Sequence, residues 1–373
     1  KVVVHDSTLR DGEQAPGVSF SLNEKVELAQ MLDKAGVHYI EAGFPPVSKR
    51  DAESVGKIAS MGLNARITCL ARAMERDIDL AADLGVWGAI LEVPVGYPRL
   101  KYQFQWEEDE VLNRTLRALE HAEKRGLNVI LFMIDTARVS GPFLQRFVQR
   151  TAETGVVKRI AIVDTLGAAT PQAISTIVSA VKTWTEIPLE VHCHNDFGLG
   201  TINTITGILA GADVFSGTVN GLGQRAGNAA IEEVIMALHL LYQIPTDIDL
   251  TLIRALSSRV QELSNIDLPQ YKPVVGQKIF QWEAGIPTAA LRKLPTTVEP
   301  YIPDVLGTEH SIVLGKKAGK ANVLFKMEEL GIKATDQEIE RFVEDVKSLA
   351  LQKNGLVSDQ EFTNIVETAR QTE

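Results

Sequence analysis

Residues 128–165, "NVILFMIDTARVSGPFLQRFVQRTAETGVVKRIAIVDT", contain one complete strand–helix–strand repeat. The stretch begins and ends in short apolar runs, residues 128–135 and 159–165, which predict buried strands. Between them, residues 141–155 carry apolar side chains at helical spacing and end in Gly155, a helix stop signal. Two buried strands joined by an amphipathic helix are typical of a parallel α/β fold.

The same alternation extends over most of the chain. Eight apolar, β-branched runs predict strands at residues 2–6, 37–44, 65–72, 88–95, 128–135, 159–165, 189–194 and 212–220. Eight strands alternating with helices over about 250 residues predict an α/β fold, the (β/α)8 TIM barrel. A doubly wound open sheet is the alternative, but it usually carries a glycine-rich turn after its first strand, and "DSTLRDG", residues 6–12, is not one.

The alternation breaks near residue 268, where Pro-rich sequence such as "IDLPQYKPVVGQ", residues 266–277, begins. Two longer helical segments follow near the end of the chain. We therefore expect a catalytic barrel at 1–268, an extended linker or small subdomain at 269–320, and a helical C-terminal subdomain at 321–373.

Composition narrows the class of protein. The chain is 45% hydrophobic and 23% charged, with a net charge of −10, which argues against binding to nucleic acid or anionic membranes. Its two cysteines lie in separate apolar runs and predict no disulfide framework. With no signal peptide or membrane span expected from the sequence, we predict a cytoplasmic enzyme that acts on small molecules.

Polar side chains cluster where the predicted strands end. In a TIM barrel these carboxyl ends form the active-site mouth. The side chains so placed are Asp6, Arg10, Asp11, Glu41, Arg72, Asp135, Arg138, Asp164, Thr165, His192, His194 and Asn220.

The segment "HCHND", residues 192–196, predicts a divalent metal site. Residues two apart on a strand face the same side, so His192 and His194 both point into the mouth, and Asp11 is the best candidate for a third ligand. Such a site polarises substrate oxygens as a Lewis acid, and the neighbouring Arg10 would stabilise an alkoxide or enolate. Glu190 faces the same way but deeper; it is either a base or a residue that orients a ligand histidine or Arg10.

Two long segments carry a family resemblance. "LRDGEQAPGVSFSLNEK", residues 9–25, and "VHCHNDFGLGTINT", residues 191–204, resemble the two signatures of the 2-isopropylmalate synthase and homocitrate synthase family. Shorter stretches also resemble family motifs: "EAGFP" at 41–45, "VDTLGAATP" at 163–171, "NGLGQRAGNAAIEEV" at 220–234 and "LGKKAG" at 314–319. The similarity spans nearly the whole chain.

The resemblance implies a metal-dependent acyltransferase that converts the acyl group to an alkyl group on transfer. Such an enzyme joins the methyl carbon of acetyl-CoA, or of another acyl-CoA, to the keto carbon of a 2-oxo acid in a biosynthetic Claisen condensation. The divalent metal would be zinc, manganese, magnesium or cobalt. The resemblance further implies a domain-swapped homodimer, and a short form without the C-terminal regulatory domain and its end-product inhibition.

The resemblance also assigns roles to single residues. Asp11, His192 and His194 would bind the metal with Asn228 nearby, and Arg10 would polarise the keto oxygen. We expect the 2-oxo acid to contact a further set: Gln14, Glu41, Arg72, Arg138 and Thr165. The glycine-rich loop at 220–228 would lie near the acyl-CoA, where small residues allow close backbone approach.

Departures from the family pattern keep an alternative open. Pro287 and Val298 stand where a subdomain histidine and tyrosine are usual, and losing one acid-base group typically costs about 10²- to 10⁴-fold in rate. The candidate replacement is Tyr301, Glu283, Lys317 or a metal-bound water. The alternative is an aldol-type synthase, aldolase or lyase that uses metal-enolate chemistry without acyl-CoA, and a catalytically silent binding protein is a third reading.

The identity of the 2-oxo acid stays open at this point. Arg99, Lys101 and Arg138 near the predicted mouth suggest an acidic substrate. The competing explanation is that Arg99 and Lys101 belong to a solvated loop.

Overall fold

The computed structural model describes residues 1–371, and its first compact unit, Lys1–Leu268, contains a closed barrel of eight parallel strands in chain order. The predicted TIM barrel is thus confirmed. The strands are β1 (Val3–Asp6), β2 (Tyr39–Glu41), β3 (Arg66–Arg72), β4 (Gly88–Pro94), β5 (Asn128–Ile134), β6 (Val157–Asp164), β7 (Leu189–Cys193) and β8 (Val214–Gly217). Pairing of β1 with β8, from Val3 opposite Val214, closes the barrel.

Helices connect successive strands and surround the barrel. They are α1 (Leu22–Lys34), α2 (Lys49–Ala59), α3 (Glu75–Asp83), α4 (Glu108–Lys124), α5 (Gly141–Ala152), α6 (Pro171–Lys182), α7 (Gly200–Leu209), α8 (Ile231–Leu240) and α9 (Ile253–Ser264). Local sequence explains where they start: Ser21 and Glu24 form a capping box at α1, and Thr170 caps α6 just before Pro171.

Apolar side chains fill part of the barrel interior. A buried cluster joins alternate residues of neighbouring strands, including Leu70 of β3, Ile90 of β4, Phe132 of β5 and Val163 of β6. Alternation with period two delivers these side chains to one face of the sheet. The interior is therefore a packed core, which supports the polar residues at the strand ends.

The second compact unit begins at Pro269. Its elements are β9 (Gln281–Trp282), α10 (Gly285–Leu291), β10 (Ser311–Ile312), α11 (Lys320–Glu329), α12 (Asp336–Lys353) and α13 (Asp359–Gln371). The unit has its own core, in which Leu314 and Ala318 pack with Phe342 of α12 and Phe362 of α13. None of the helices within residues 1–371 has the length and apolar character that crossing a membrane requires.

Candidate active site

Three predicted ligands converge at the carboxyl ends of β1 and β7. The Oδ2 atom of Asp11 lies 3.1 Å from Nε2 of His192 and 3.7 Å from Nε2 of His194. One potential ligand atom from each of the three residues lies within 4.8 Å of the other two, and all three side chains are buried. The two histidines of "HCH" and Asp11 of the loop after β1 thus lie together, as the sequence predicts.

The turn after β1 holds Asp11 in place. The backbone N–H groups of Arg10, Asp11 and Gly12 all donate to the carbonyl oxygen of Ser7. Asp6 accepts hydrogen bonds from both the backbone N–H and the hydroxyl of Thr8, which fixes the start of the turn. Strand β1 therefore ends in a compact turn that aims the Asp11 carboxylate into the mouth.

Unpartnered polar atoms around this triad fit a divalent cation. Among the residues that the structure describes, Oδ1 of Asp11, Nδ1 of His194 and Oδ1 of Asn228 are buried without a hydrogen-bond partner. Buried polar atoms are normally paired, so this cluster is unusual. Nitrogen and oxygen donors of this kind are the ligands that zinc and similar divalent metals accept.

Charge also favours cation binding at the triad. Burial alone would raise the pKa of Asp11, but Arg10, His192 and His194 together hold it well below its usual range. Burial and the neighbouring His192 lower the pKa of His194 to about 4. The triad therefore presents one carboxylate and a neutral His194 at neutral pH, which is the protonation state that metal binding needs.

Arg10 extends from the same turn toward β2. Its Nε donates to Oε1 of Glu41 at 2.6 Å, and its Nη1 lies 3.5 Å from Asp11. The hydroxyl of Ser7 donates to the other carboxylate oxygen of Glu41. Glu41, predicted as a substrate contact, thus positions the Arg10 guanidinium beside the triad.

Glu190 is held by two other side chains in the barrel interior. Its carboxylate is 2.9 Å from Nδ1 of His5 and 2.5 Å from Nε of Arg159, deep in the barrel interior. Burial would raise the pKa of Glu190, but Arg159 and His5 lower it to about 2. The expectation that Glu190 acts as a base is therefore not supported, because its carboxylate is already bound by His5 of β1 and Arg159 of β6. The spacing of residues along β7 does not reveal these partners.

The remaining predicted substrate contacts have protein partners. Arg72 donates to Asp77 through Nε and Nη2, and Arg138 forms a similar pair with Asp135. Their side chains are 52% and 42% exposed. Both cations are therefore already paired and directed partly to solvent, although Arg72 ends β3 and Arg138 follows β5 as predicted.

Two uncharged predicted contacts also have partners. The hydroxyl of Thr165 accepts from the backbone N–H of Asp135 at 2.8 Å. The carboxamide oxygen of Gln14 accepts from Gln224 at 2.7 Å, which links the turn after β1 to the glycine-rich loop.

The glycine-rich loop after β8 places Asn228. An isolated antiparallel bridge pairs Asn228 with His194. The side-chain NH2 of Asn228 donates to the carbonyl oxygen of Leu222. Gly227 has φ +81°, and a Cβ atom there would lie 1.9 Å from the carbonyl oxygen of Gly221. Glycine is thus required for the loop's own backbone packing.

Replacing Gly227 with alanine is expected to destabilise this loop and displace Asn228. Positive φ and the Gly221 clash act together, so we expect a loss of about 1–3 kcal/mol in the free energy of unfolding. Urea unfolding followed by circular dichroism measures it. Gly126→Ala is the matched control, since Gly126 also has positive φ but a Cβ atom added there would have no neighbour within 4 Å. Equal losses in the two variants would show that the Gly221 contact adds nothing.

The second unit contains the departures from the family pattern. Pro287 lies in α10, and the backbone N–H of Lys317 donates to Glu283 at 3.1 Å. Sequence reasoning missed a buried carboxylate here: Glu299 accepts from the indole N–H of Trp282 at 2.8 Å and lies 2.5 Å from Nε2 of His310. Local sequence did not reveal this carboxylate as buried, because its partners Trp282 and His310 lie 17 and 11 residues away in the chain.

Two family models and several curated relatives match this chain. The model of the HMGL-like family matches residues 1–260, and that of the homocitrate synthase post-HMGL domain-like family matches residues 274–354. Homocitrate synthase AksA of Methanopyrus kandleri is 42% identical over 98% of this chain and 92% of its own length. (R)-citramalate synthase CimA of Methanocaldococcus jannaschii is 39% identical over 93% of this chain and 70% of its own length.

A solved structure shares the fold. HMG-CoA lyase of Bacillus subtilis superimposes with a TM-score of 0.64 at 21% identity, covering 72% of this chain and 95% of that one. At 21% identity this likeness shows the fold alone.

Proposed function

We propose that this chain, which belongs to the HMGL-like family, is a carbon-carbon bond-forming synthase that condenses an acyl-CoA with a 2-oxo acid. The new bond joins the acyl α-carbon to the keto carbon, and hydrolysis of the thioester then releases free CoA. The product is a 2-hydroxy acid with one more carboxylate than the 2-oxo acid. The observation that carries the proposal is the buried triad of Asp11, His192 and His194 with Arg10 beside it.

The residues at the mouth have two separate roles, metal binding and stabilisation of the reacting oxygen. Asp11, His192 and His194 would hold a divalent metal, with Asn228 nearby, and a bound metal supplies Lewis-acid chemistry toward the oxygens of the 2-oxo acid. Arg10 donates to the former keto oxygen as negative charge develops on it. Because Glu41 and Ser7 fix its orientation, this donor is preorganised and needs no rearrangement during the reaction.

The acyl-CoA is assigned to the side of the glycine-rich loop. A cavity of about 270 Å³ lies there between the turn after β1 and α9, and its walls include Ala15, Leu222, Arg225 and Val260. Small side chains and exposed backbone leave room for a thioester to approach the mouth. Arg225 adds a positive charge, although it also pairs with Asp196 at 2.7 Å.

Release of free CoA tests the condensation directly. The purified full chain, supplied in turn with Zn²⁺, Mn²⁺, Mg²⁺ or Co²⁺, is assayed with a thiol reagent against acetyl-CoA and a panel of 2-oxo acids. We expect release that depends on both substrates and on one or more of the metals. If no pair releases CoA with any of these metals, the proposal fails and the aldol-type alternative replaces it. The predicted homodimer is tested separately, by light scattering.

Arg99, Lys101 and Arg138 are the three cations that suggest an acidic substrate. We infer that Arg99 is the one that binds the second carboxylate of the 2-oxo acid. Lys101 is exposed and donates to Tyr97 at 2.8 Å, and Arg138 is paired with Asp135. Arg99 instead lines a cavity of about 510 Å³, in which Glu92 and Ile134 come from the barrel strands. Its guanidinium is hydrogen-bonded to the neutral Gln103 at 3.2 Å. A second carboxylate on the 2-oxo acid therefore has a cation to bind in this cavity.

Replacing Arg99 with glutamine is expected to impair acidic substrates selectively. Loss of a charged hydrogen bond predicts an increase of about 10- to 100-fold in KM for 2-oxoglutarate, with little change for 2-oxoisovalerate. Lys101→Gln is the matched control in the same segment and should change neither value. Equal effects of Arg99→Gln on both acids would exclude Arg99 as the distal carboxylate site.

A further inference from the structure

The proposed condensation needs a base, which the metal ligands and Arg10 do not supply. Bond formation begins when a base removes a proton from the acyl α-carbon, whereas Arg10 acts on the keto oxygen. Glu190 is not available for this step, because His5 and Arg159 already bind its carboxylate. The remaining carboxylates at the barrel mouth are therefore the groups to compare.

Most carboxylates at the strand ends are held by protein partners. The ones so held are Asp6, bound by Thr8; Glu41, bound by Arg10; Asp135, bound by Arg138; Asp164, bound by the backbone of Ala168 and Ala169; and Asp196, bound by Arg225. Glu92, near the carboxyl end of β4, differs from them. It accepts no hydrogen bond and forms no ion pair with any of the residues 1–371 that the structure describes.

Strand alternation directs Glu92 into the barrel. Ile90 of β4 belongs to the buried interior cluster, and Glu92, two residues further on, faces the same side at the mouth end of the strand. Phe132 lies opposite Glu92 in the pairing of β4 with β5, and its ring centroid is 5.7 Å from that of His192. Phe132 is therefore a neighbour of both Glu92 and a candidate metal ligand.

Strand order places Glu92 across the mouth from the candidate metal site. Around the closed barrel, β4 lies three strands away from β1 and three away from β7. The turn after β1 contains Asp11, and the end of β7 provides His192 and His194. A 2-oxo acid bound at these residues has its keto carbon in the space that Glu92 faces. The acyl α-carbon that attacks the keto carbon must occupy the same space.

The surroundings of Glu92 suit a base. Its side chain is partly buried and lines the cavity of about 510 Å³ together with Arg99. Burial raises the pKa of Glu92 above its ordinary value, so its carboxylate is a stronger base than a fully solvated glutamate. Arg99 is hydrogen-bonded to Gln103 and is not ion-paired with Glu92 in the described part of the chain. The two groups can therefore act on different parts of the substrates, Arg99 on the distal carboxylate and Glu92 on the reacting carbon.

We propose that Glu92 is the base that removes the α-proton of the acyl-CoA, an assignment that rests on the proposed function. One carboxylate oxygen of Glu92 takes the proton, and the electron pair of the C–H bond becomes that of an enolate. The enolate carbon then bonds to the keto carbon, and the electron pair of the keto C=O bond moves to its oxygen, which Arg10 stabilises. After hydrolysis of the thioester, Glu92 returns its proton to solvent.

Glu92→Gln tests this assignment in the full chain, loaded with the metal that supports CoA release. The variant keeps the shape of the side chain and removes an unpaired, partly buried carboxylate, so the fold should be retained. We expect kcat for CoA release to fall about 10²- to 10⁴-fold, with metal content and the KM for the 2-oxo acid unchanged. Acetyl-CoA with a CD3 group should react more slowly than the CH3 form, by a factor at least as large in the variant as in the unmodified protein. That isotope effect reports removal of the α-proton, which a merely structural role would not control.

Glu110→Gln is the matched control. It makes the same chemical change on α4, where the Glu110 carboxylate pairs with Arg114, another residue that lines the cavity. Its kcat should change less than about twofold, since the pair is exposed. Glu92→Asp is the second variant. It keeps a carboxylate but shortens its reach by one methylene group, which should lower kcat about 10- to 100-fold without changing metal content.

The outcomes separate the base from the reaction. A Glu92→Gln variant that retains kcat within about tenfold, or that loses the isotope effect, overturns the assignment and leaves the condensation in place. If Glu92→Gln does not fold, a Glu92→Asp variant with kcat within about twofold of the unmodified protein has the same consequence. If the unmodified protein releases no CoA with any of the metals and 2-oxo acids, the condensation and the base are both rejected.

Discussion

Asp11→Asn is expected to abolish metal-dependent CoA release. The variant keeps the size of the side chain but replaces the carboxylate that lies nearest to both histidines. The two imidazoles and the adjacent Arg10 then remain, and a cation bound there would face the positive charge of Arg10 without the only carboxylate of the triad. Lewis-acid stabilisation contributes several kcal/mol, so the rate of CoA release should fall about 10³-fold or more.

Metal content must fall together with activity. Mass spectrometry of the purified, dialysed variant should find it free of zinc, manganese and cobalt when the unmodified protein retains one ion per chain. Glu13→Gln is the matched control two residues along the same turn. Glu13 binds Lys25 and the backbone N–H of Phe20, so this change should leave metal content intact. An Asp11→Asn variant with full metal content and activity within about tenfold would show that Asp11 is not a ligand.

Much of the fold follows from local sequence pattern. The apolar runs at 128–135 and 159–165 became β5 and β6 within one or two residues at each end, because burial on both faces selects continuous Val and Ile. Barrel geometry then collects the strand ends at one mouth. The family membership predicted from "LRDGEQ" and "VHCHND" is confirmed by the family models and full-length relatives.

Side-chain partners were harder to predict. The pairing of Glu190 with His5 and Arg159 joins three different strands, and His5 lies 185 residues before Glu190, so spacing on β7 alone cannot reveal it. A different case is Arg138, whose partner Asp135 lies three residues earlier and was visible in the sequence. Counting nearby carboxylates would have identified this arginine as paired.

The alternation of side chains along β8 predicts that Ser216 faces the barrel interior. It lies two residues after the buried Val214 on β8 and therefore faces the barrel interior, where a hydroxyl needs a partner. The sequence places a polar side chain there but does not say that His192 is opposite, since strand register depends on the closed barrel.

Arg10→Lys is expected to lower kcat about 10²- to 10³-fold, the usual effect of losing one preorganised donor to a developing oxyanion. Lysine keeps the positive charge but not the planar group that binds Glu41 while reaching past Asp11. Because the charge is retained, metal content and the KM for acyl-CoA should change little. That separation distinguishes a group acting on the reacting oxygen from one that merely holds the fold.

Arg72→Lys is the matched control for Arg10→Lys. Arg72 also ends a strand beside the mouth, but it is paired with Asp77 and half exposed, so its replacement should change kcat less than about threefold. Glu41→Gln completes the test, because it leaves Arg10 in place while removing the carboxylate that orients it; a smaller loss of kcat is expected. If Arg10→Lys retains half of kcat or more, the keto oxygen is stabilised elsewhere and the bound metal must carry that stabilisation without Arg10.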